Sequence, residues 1–246
     1  MSRKRDGLGG EFAGAVSVVT GAAGGIGRAV VAELSARGAL VAALDVTDSQ
    51  AGALCLRCDV TDEQQVAETL ERVGKELGTP THLVCAAGVA SEAPVVDMDV
   101  DEWRRVVDVS LLGTFVSTRE VLPAMLANGR GRIVALSSGY ARKGQAAGSH
   151  YAAAKAGVET FVKSLALEVA GAGITVNAVA PGPVETAMLE PLMARSGWRS
   201  TIEAAIPLGR VATPADIAGP ILFLLSDDSA YMTGQVLHVN GGLLMP

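Results

Sequence analysis

Short apolar runs alternate along this chain with longer segments whose apolar residues recur at helical spacing. Residues 15–20 form a β-branched run, and residues 26–37 after them carry apolar side chains three or four positions apart. Continuous apolar runs are typical of strands that helices cover on both faces, because neither face then meets water. Alternating strands and helices predict parallel strands joined by helical crossovers. We therefore expect an α/β fold built on a doubly wound parallel sheet.

The same alternation continues to the end of the chain. Ligands of such sheets bind at the carboxyl ends of the strands, so the residues that follow each strand are the candidates for a binding site. The predicted strands are residues 15–20, 40–45, 54–58, 83–86, 132–137, 174–180 and 235–239, and the predicted helices are residues 26–37, 63–77, 101–127, 149–170 and 214–225.

One domain accounts for nearly the whole chain. A chain of 246 residues is a common size for a single α/β domain and is long enough to bury a large core. We predict a flexible N-terminal tail over residues 1–10 and the folded domain over residues 11–246. The tail begins Ser2-Arg3-Lys4-Arg5, but no apolar run of a secretory signal follows it.

Charge and cysteine content exclude several classes of function. The net charge of −6 leaves no basic surplus for a phosphate backbone, so no nucleic-acid partner is expected. No apolar run approaches the ~18 residues of a membrane span, so no membrane association is expected. Three cysteines cannot build a disulfide framework, which favours a cytoplasmic location. Cys55 and Cys58 are expected to be buried filler, and the three scattered histidines indicate no metal site.

A glycine-rich segment connects the first predicted strand to the first predicted helix. Residues 20–27 are TGAAGGIG, and Asp45 ends the next strand. Glycine lets a pyrophosphate approach the backbone, and the helix that follows directs free N–H groups at that anion. A carboxylate at the position of Asp45 accepts hydrogen bonds from an adenosine ribose and repels the 2′-phosphate of NADP. We predict a dinucleotide site that prefers NAD, the alternative being a glycine-rich turn in an ordinary α/β protein.

Three side chains predict a proton-transfer site. Tyr151 and Lys155 are four residues apart on a predicted helix and so share one of its faces. A nearby ammonium lowers the pKa of a phenol, which lets the phenol act as general acid or base near neutral pH. Ser138 follows the fifth predicted strand, where its hydroxyl is placed to hold a substrate oxygen. The conjunction of the three carries the prediction, since each alone recurs by chance.

With these residues the chain resembles the short-chain dehydrogenase/reductase family, from about Glu11 to Gly242. Residues 20–27 are similar to the family motif T-G-x-x-x-G-x-G, and Ser138, Tyr151 and Lys155 fall on its catalytic positions at the family spacing. The resemblance implies a single-domain Rossmann fold. It also implies hydride transfer between a nicotinamide and a secondary alcohol or its ketone, with Tyr151 exchanging the hydroxyl proton.

The resemblance implies a set of cofactor contacts as well. Asp59-Val60 matches the pair that flanks adenine, the segment CAAG at 85–88 stands where N-N-A-G is usual, and residues 177–182 match the segment beside nicotinamide. The implied cofactor-binding residues are Gly21, Gly25, Ile26, Gly27, Asp45, Asp59, Val60, Ala87, Gly88, Tyr151, Lys155, Pro181, Gly182, Val184 and Thr186.

One catalytic position departs from the family pattern. Ser110 stands where the family usually has an asparagine that completes a catalytic tetrad and helps to hold a proton-carrying water beyond the lysine. A serine is shorter and has no amide. We expect Ser110 to be a weakened fourth member, with the helix backbone holding the water and the hydroxyl playing a minor part.

The substrate is less well defined by the sequence. Residues 187–206 resemble the family's substrate lid and include Met, Leu and Trp side chains, while Tyr140 and Gln145 are expected pocket walls. The predicted reaction is NAD(H)-dependent interconversion of a small-molecule secondary alcohol and a ketone. The alternatives are a 3-oxoacyl-(acyl-carrier-protein) reductase, a cyclic dihydrodiol dehydrogenase and, from another class, a non-catalytic dinucleotide sensor.

Two further observations concern partners. Acyl-carrier-protein reductases usually take NADP and hold their acidic carrier with arginines, where this chain has Gly129 and Ala172, although Arg130 and Arg132 are close. The helices at 101–127 and 149–170 carry apolar residues on more than one face. One face must cover the sheet and the other would stay wet in a monomer, so we expect a homotetramer.

Overall fold

The computed structural model describes residues 10–48 and 51–245, so all of the predicted tail except Gly10 lies outside the described residues. The predicted strands are present with bounds that agree within one residue. The strands are β1 (Val16–Thr20), β2 (Leu40–Asp45), β3 (Leu54–Arg57), β4 (His82–Cys85), β5 (Gly131–Leu136), β6 (Ile174–Pro181) and β7 (Val236–Val239), and the helices are α1 (Gly25–Ala36), α2 (Glu63–Glu76), α3 (Val100–Val107), α4 (Gly113–Asn128), α5 (Tyr140–Lys143), α6 (Ser149–Val169), α7 (Glu190–Met193), α8 (Trp198–Ala205) and α9 (Pro214–Leu225).

The strands form one parallel sheet in the order β3-β2-β1-β4-β5-β6-β7. The chain winds outward from β1 in one direction, then returns to β4 and winds outward in the other. This confirms the doubly wound α/β fold in a single domain. The order reverses between β1 and β4, which is where such sheets open a crevice at their carboxyl edge.

Helices cover both faces of the sheet, as the continuous apolar runs predicted. Val18 of β1 belongs to one cluster of buried apolar residues, and its neighbour Val19 belongs to a second cluster. Successive side chains of a strand point to opposite faces, so each strand must be apolar at every position to serve both layers. Helices α2, α4 and α6 contribute to the first cluster, and α1 and α9 contribute to the second.

The predicted helix over residues 101–127 is present as a continuous helical stretch from Val100 to Asn128, but it contains a turn that the sequence did not predict. A π-helical turn at Asp108–Leu112 separates α3 from α4. Such a turn inserts a residue without ending the helix, so the apolar periodicity on either side persists and hides it from the sequence pattern. It leaves Ser110 fully buried. π turns occur often at functional sites, and this one carries the position where the chain departs from the family pattern.

The smaller sequence predictions have mixed outcomes. Asp62 caps α2 by accepting the Gln65 N–H, and Thr213 caps α9 through a reciprocal bond with Asp216. Cys58 is buried as expected, but Cys55 is exposed at the outermost strand, so the prediction of buried filler is wrong for Cys55. Within residues 10–48 and 51–245 there is no cluster of three or more potential metal ligands, and no helix is both long and apolar enough to cross a membrane.

Candidate active site

The glycine-rich loop after β1 touches the end of β4. Gly21 has a φ of +67°, and a Cβ built on it would lie 2.5 Å from the backbone nitrogen of Ala87. Only glycine fits there, because a side chain would meet both a left-handed backbone and a neighbouring strand. The loop is thereby held at the carboxyl edge where the sheet order reverses. The first turn of α1, which contains Gly25, Ile26 and Gly27, follows directly and presents its N-terminus to that edge.

Asp45 is held beside this loop. Its Oδ2 accepts the Ala23 N–H at 3.0 Å, while its Oδ1 accepts the backbone N–H and the hydroxyl of Thr47. The contacts fix the carboxylate at the end of β2 with lone pairs to spare, since an ionised carboxyl offers about four acceptor positions. This placement fits a group that hydrogen-bonds a ribose hydroxyl.

A cation that the sequence reasoning missed lies close to Asp45. Arg28 reaches back from α1 and donates to the Ala23 carbonyl at 2.8 Å, on the same residue whose N–H binds Asp45. Arg28 directly follows the last glycine of the segment 20–27. Its positive charge therefore lies at the same loop as the Asp45 carboxylate.

Asp59 and Val60 complete the same edge of the sheet. The Cys58 N–H donates to the Asp45 carbonyl at 2.9 Å, which places the residues after β3 beside the end of β2. Asp59 Oδ1 accepts the N–H and hydroxyl of Thr61. Val60 is buried and would meet a Cβ on Gly113, so it packs against the first turn of α4. These positions fit the flank of a bound adenine that the resemblance implies.

The proposed catalytic side chains meet at the carboxyl ends of β5 and β6. Tyr151 and Lys155 share one face of α6, with the Lys155 Nζ 5.7 Å from the centre of the Tyr151 ring. Ser138 follows β5, is buried, and lies close enough to Tyr151 for its hydroxyl to act on the pKa of the phenol. The Gly139 N–H donates to the Pro181 carbonyl at 3.0 Å and so joins the Ser138 loop to the end of β6. The structure therefore brings Ser138, Tyr151 and Lys155 together.

The pKa values correct one sequence prediction. Burial raises the pKa of the Tyr151 phenol above its ordinary value, although the Ser138 hydrogen bond opposes that shift. Burial also lowers the pKa of Lys155 to about 8. The Lys155 ammonium donates to the Leu136 carbonyl at 2.8 Å instead of facing the phenol. The net shift of the Tyr151 pKa is therefore upward, opposite to the expected direction, because desolvation is its largest cause.

Ser110 and Lys155 face the same small space beside Gly88. A Cβ built on Gly88 would lie 3.4 Å from the Lys155 Nζ and 3.7 Å from the Ser110 Oγ. The Ser110 hydroxyl is buried and has no hydrogen-bond partner among the described residues, whereas the Ser110 carbonyl accepts the Thr114 hydroxyl at 2.9 Å. The Ser110 side chain therefore has free hydrogen-bonding capacity next to the lysine, while the expectation that the helix backbone holds the water stays a prediction.

The segment after β6 returns to the glycine-rich loop. Gly182 donates its N–H to the Val239 carbonyl at 2.9 Å, and Val184 pairs with Ala212 in an isolated bridge. A Cβ on Gly25 would lie 2.6 Å from the Thr186 Cγ2, so Thr186 stands directly over the first turn of α1. The segment 181–186 therefore reaches from the end of β6 to the first turn of α1, and its contact with the nicotinamide stays a prediction.

Glu159 supports the catalytic residues and was not singled out from the sequence. Its buried carboxylate accepts the Ser137 hydroxyl at 2.9 Å and the Arg142 guanidinium at 2.7 Å, which ties the end of β5 and helix α5 to α6. Glu159 lies four residues after Lys155, one turn along the face that holds Tyr151. That spacing is the signal by which the sequence could have shown it.

The predicted lid folds as two short helices, α7 and α8. Arg195 between them pairs with Glu92 in the segment after β4 at 2.7 Å, so the lid and that segment meet. The charge of Glu92 also contributes, after burial, to raising the pKa of Tyr140. These three residues therefore lie on the side of the site where Tyr151 projects, consistent with the expected pocket wall at Tyr140.

Comparisons with known proteins agree with this geometry. The family model described as enoyl-(acyl carrier protein) reductase matches residues 21–244. The 3-oxoacyl-(acyl-carrier-protein) reductase FabG of Escherichia coli strain K12 is 39% identical over 243 residues, which cover 95% of this chain and 99% of that protein. The enzyme of the same name from Thermotoga maritima is 42% identical over 181 residues, which cover 74% of this chain and 73% of that protein.

The fold also matches a solved enzyme structure. The crystal structure of levodione reductase has a TM-score of 0.89 and 30% sequence identity, and the match covers 94% of this chain and 98% of that one. The similarity extends over almost the full length of both chains, so it includes the carboxyl edge of the sheet where the candidate residues meet.

Proposed function

This chain belongs to the short-chain dehydrogenase/reductase family of oxidoreductases, and we propose that it interconverts a secondary alcohol and a ketone with NAD(H). One observation carries the proposal: Ser138, Tyr151 and Lys155 meet at the same sheet edge as the glycine-rich loop and Asp45. A proton donor, a substrate anchor and a dinucleotide site thereby lie side by side.

The residues present fit a nicotinamide dinucleotide. Gly21 leaves backbone open at the N-terminus of α1, where a pyrophosphate binds, and Asp45 has acceptor positions for a ribose. The Lys155 ammonium has donors beyond the one it gives to Leu136, and these would hold the ribose next to the nicotinamide. The remaining implied contacts are Gly25, Ile26, Gly27, Asp59, Val60, Ala87, Gly88, Pro181, Gly182, Val184 and Thr186. The bound nicotinamide supplies the hydride chemistry.

The protein's own contribution is to place and move a proton. In ketone reduction the Ser138 hydroxyl holds the carbonyl oxygen, and Tyr151 donates its phenolic proton to that oxygen. The raised pKa of Tyr151 keeps the phenol protonated at neutral pH, which is the form that reduction requires. In that form the phenol acts as the acid of ketone reduction, and the reverse reaction uses the same group after it has lost its proton.

The relatives favour one class of ketone. Two enzymes named 3-oxoacyl-(acyl-carrier-protein) reductase are 39% and 42% identical to this chain. A 3-oxoacyl thioester is a ketone whose product is a secondary alcohol, so it falls within the proposed reaction and is its first candidate substrate. Asp45 is the observation that favours NADH over NADPH as the donor. Oxidation of a cyclic dihydrodiol remains an alternative reaction, and the cytoplasmic location remains a prediction.

NADH oxidation measured by absorbance tests the proposal. The first panel contains a 3-oxoacyl thioester, a simple cyclic ketone and a control reaction without ketone. A second panel offers secondary alcohols with NAD⁺. Turnover of any ketone supports an enzyme, and turnover of the thioester above the cyclic ketone supports the substrate class. Tight dinucleotide binding without turnover in either panel would support the sensor instead.

The first prediction concerns Ser110, which stands where the family usually has a catalytic asparagine. Ser110→Ala should lower kcat about tenfold, which corresponds to ~1.4 kcal/mol, because the free hydroxyl beside the Lys155 ammonium is lost. Ser110→Asn should stay within a few-fold of the parent. Ser117→Ala is the matched control, since Ser117 also has a buried, unpartnered hydroxyl but lies on α4 away from Lys155. Equal losses in the alanine variants of Ser110 and Ser117 would remove Ser110 from the catalytic site.

Assembly gives a second prediction. Apolar side chains remain exposed on the outer faces of α4 and α6, including Phe115 at 40%, Leu126 at 45% and Leu167 at 87%. Phe115 packs edge to face against Phe161, so the two helices share this surface. We expect a homotetramer in solution, because contiguous apolar surface on paired helices is usually covered. Light scattering checks this, and a mass of 25.0 kDa at micromolar concentration would contradict it.

A further inference from the structure

A chain of polar contacts runs from the surface of α3 to His150, the buried residue before Tyr151. Arg105 makes two hydrogen bonds to the Glu102 carboxylate, and Glu102 also accepts the Ser91 hydroxyl. The same Ser91 oxygen lies 2.8 Å from the His150 Nε2. His150 is fully buried and stacks against Trp103 of α3. Three separate segments therefore meet at one imidazole.

The direction of each hydrogen bond follows from donor counts. The Arg105 bonds, and then the Ser91 bond, hold the pKa of Glu102 at about 2, so this carboxylate only accepts. Ser91 has one hydroxyl proton and gives it to Glu102. The Ser91 oxygen must then accept the Nε2–H of His150, and the ring is fixed by that bond on one side and by Trp103 on its face.

The first turn of α6 depends on this chain. The helix begins after Gly148, which supplies no side-chain cap, and the Ser149 hydroxyl is buried without a partner among the described residues. Tyr151 is the third residue of that uncapped turn. The turn is held instead through His150, together with a backbone bond from Ala93 to Ala147 at 2.8 Å.

We propose that Glu102, Ser91 and His150 form a positioning network that holds Tyr151 at the reacting oxygen, an inference that rests on the proposed function of Tyr151. The network anchors the first turn of α6 to the segment after β4, which also contains Gly88 beside Lys155. A small displacement of a proton donor costs far more in kcat than in binding, because proton transfer needs close alignment. His150, Ser91 and Glu102 are positioning residues, since they act through Tyr151.

Ser91→Ala is the direct test. It leaves the His150 Nε2–H without an acceptor, while the Glu102–Arg105 pair at the surface remains. We expect kcat to fall about tenfold or more with the KM for NADH within about twofold. The midpoint of the kcat–pH limb that reports Tyr151 should move by ~0.5 unit or more, because a displaced phenol loses its Ser138 bond. Ser91→Thr keeps a hydroxyl and should restore most of the activity.

A control separates positioning from loss of stability. Val73→Ala removes two methyl groups from the buried face of α2, away from the site, and lowers the melting temperature without touching the network. The inference is overturned when Ser91→Ala keeps kcat within twofold of the parent. It is also overturned when Val73→Ala, at a melting temperature equal to that of Ser91→Ala, shows the same loss of kcat and the same shift in the pH limb as Ser91→Ala.

A titration without substrate separates this inference from the proposed function. Ultraviolet absorbance follows ionisation of the tyrosines, and the difference between each protein and its Tyr151→Phe derivative isolates Tyr151. A shift of that midpoint in Ser91→Ala supports the network even where the parent reduces no ketone, the result that would overturn the proposed function alone. An unmoved midpoint overturns the network whatever the activity. If Ser91→Ala does not fold, Glu102→Gln weakens the same chain and is read in the same two assays.

Discussion

Tyr151→Phe should abolish ketone reduction while NADH still binds. The ring and its packing on α6 remain, but the phenolic proton that the ketone oxygen would accept is removed. A positioned general acid contributes roughly 10²–10⁴-fold, so a loss of about a thousandfold in kcat is expected. NADH absorbance measures turnover, and NADH fluorescence measures binding, which should stay within about threefold because Asp45 and the glycine-rich loop are untouched.

The chain offers a matched control for this substitution. Tyr231 is fully exposed, so Tyr231→Phe makes the same chemical change away from the site and should leave kcat unaltered. A Tyr151→Phe enzyme that keeps a tenth or more of the parent's kcat would exclude Tyr151 as the proton donor. The phenylalanine also loses the hydrogen bond to Ser138, so melting curves should confirm that both variants remain folded at the assay temperature.

Asp45→Asn should move the cofactor preference toward NADPH. The carboxylate at the end of β2 repels a 2′-phosphate, whereas an asparagine keeps an acceptor for the Ala23 N–H and adds a donor. Unit charges ~4 Å apart interact by about 1–4 kcal/mol between bulk water and a protein surface. We therefore expect the ratio of kcat/KM for NADPH over NADH to rise by roughly 10–100-fold.

Arg28 provides a second test of the predicted change in cofactor preference. Its guanidinium already lies against the Ala23 carbonyl, so it becomes available to a 2′-phosphate once the neighbouring carboxylate is neutral. Adding Arg28→Gln to Asp45→Asn should therefore remove much of the gain with NADPH. Asp48→Asn changes an exposed charge nearby and serves as the control for a general field effect. An unchanged NADPH/NADH ratio in Asp45→Asn would show that Asp45 does not select the cofactor.

The sequence predicted the fold well for a physical reason that β1 shows clearly. Val18 and Val19 point to opposite layers, so the apolar character of consecutive residues already indicates that both faces of the strand are buried. The same holds for Thr213 and Asp216, whose capping box lies within four residues of chain. The π turn at Asp108–Leu112 was missed because one inserted residue leaves the flanking apolar pattern intact.

The candidate site was only partly accessible to sequence reasoning. Gly21, Asp45, Ser138, Tyr151 and Lys155 could be placed, since each follows a strand or shares a helix face with its neighbour. Arg28 stood one residue beyond the glycine-rich motif and Glu159 one helical turn beyond Lys155, and both were overlooked. Ser91 and His150 carry no pattern at all, because 59 residues separate two side chains that meet only after the segments around them pack.

The sequence by itself determined the parallel sheet, the order of its helices and the edge at which the chemistry must lie, because these follow from local periodicity and from where strands end. Only the tertiary structure decided the pKa values of the catalytic side chains at that edge. Burial raises the pKa of Tyr151 and directs the Lys155 ammonium to the Leu136 carbonyl, against the expectation from their spacing. Desolvation depends on every atom packed around a group, and most of those atoms belong to residues far away along the chain.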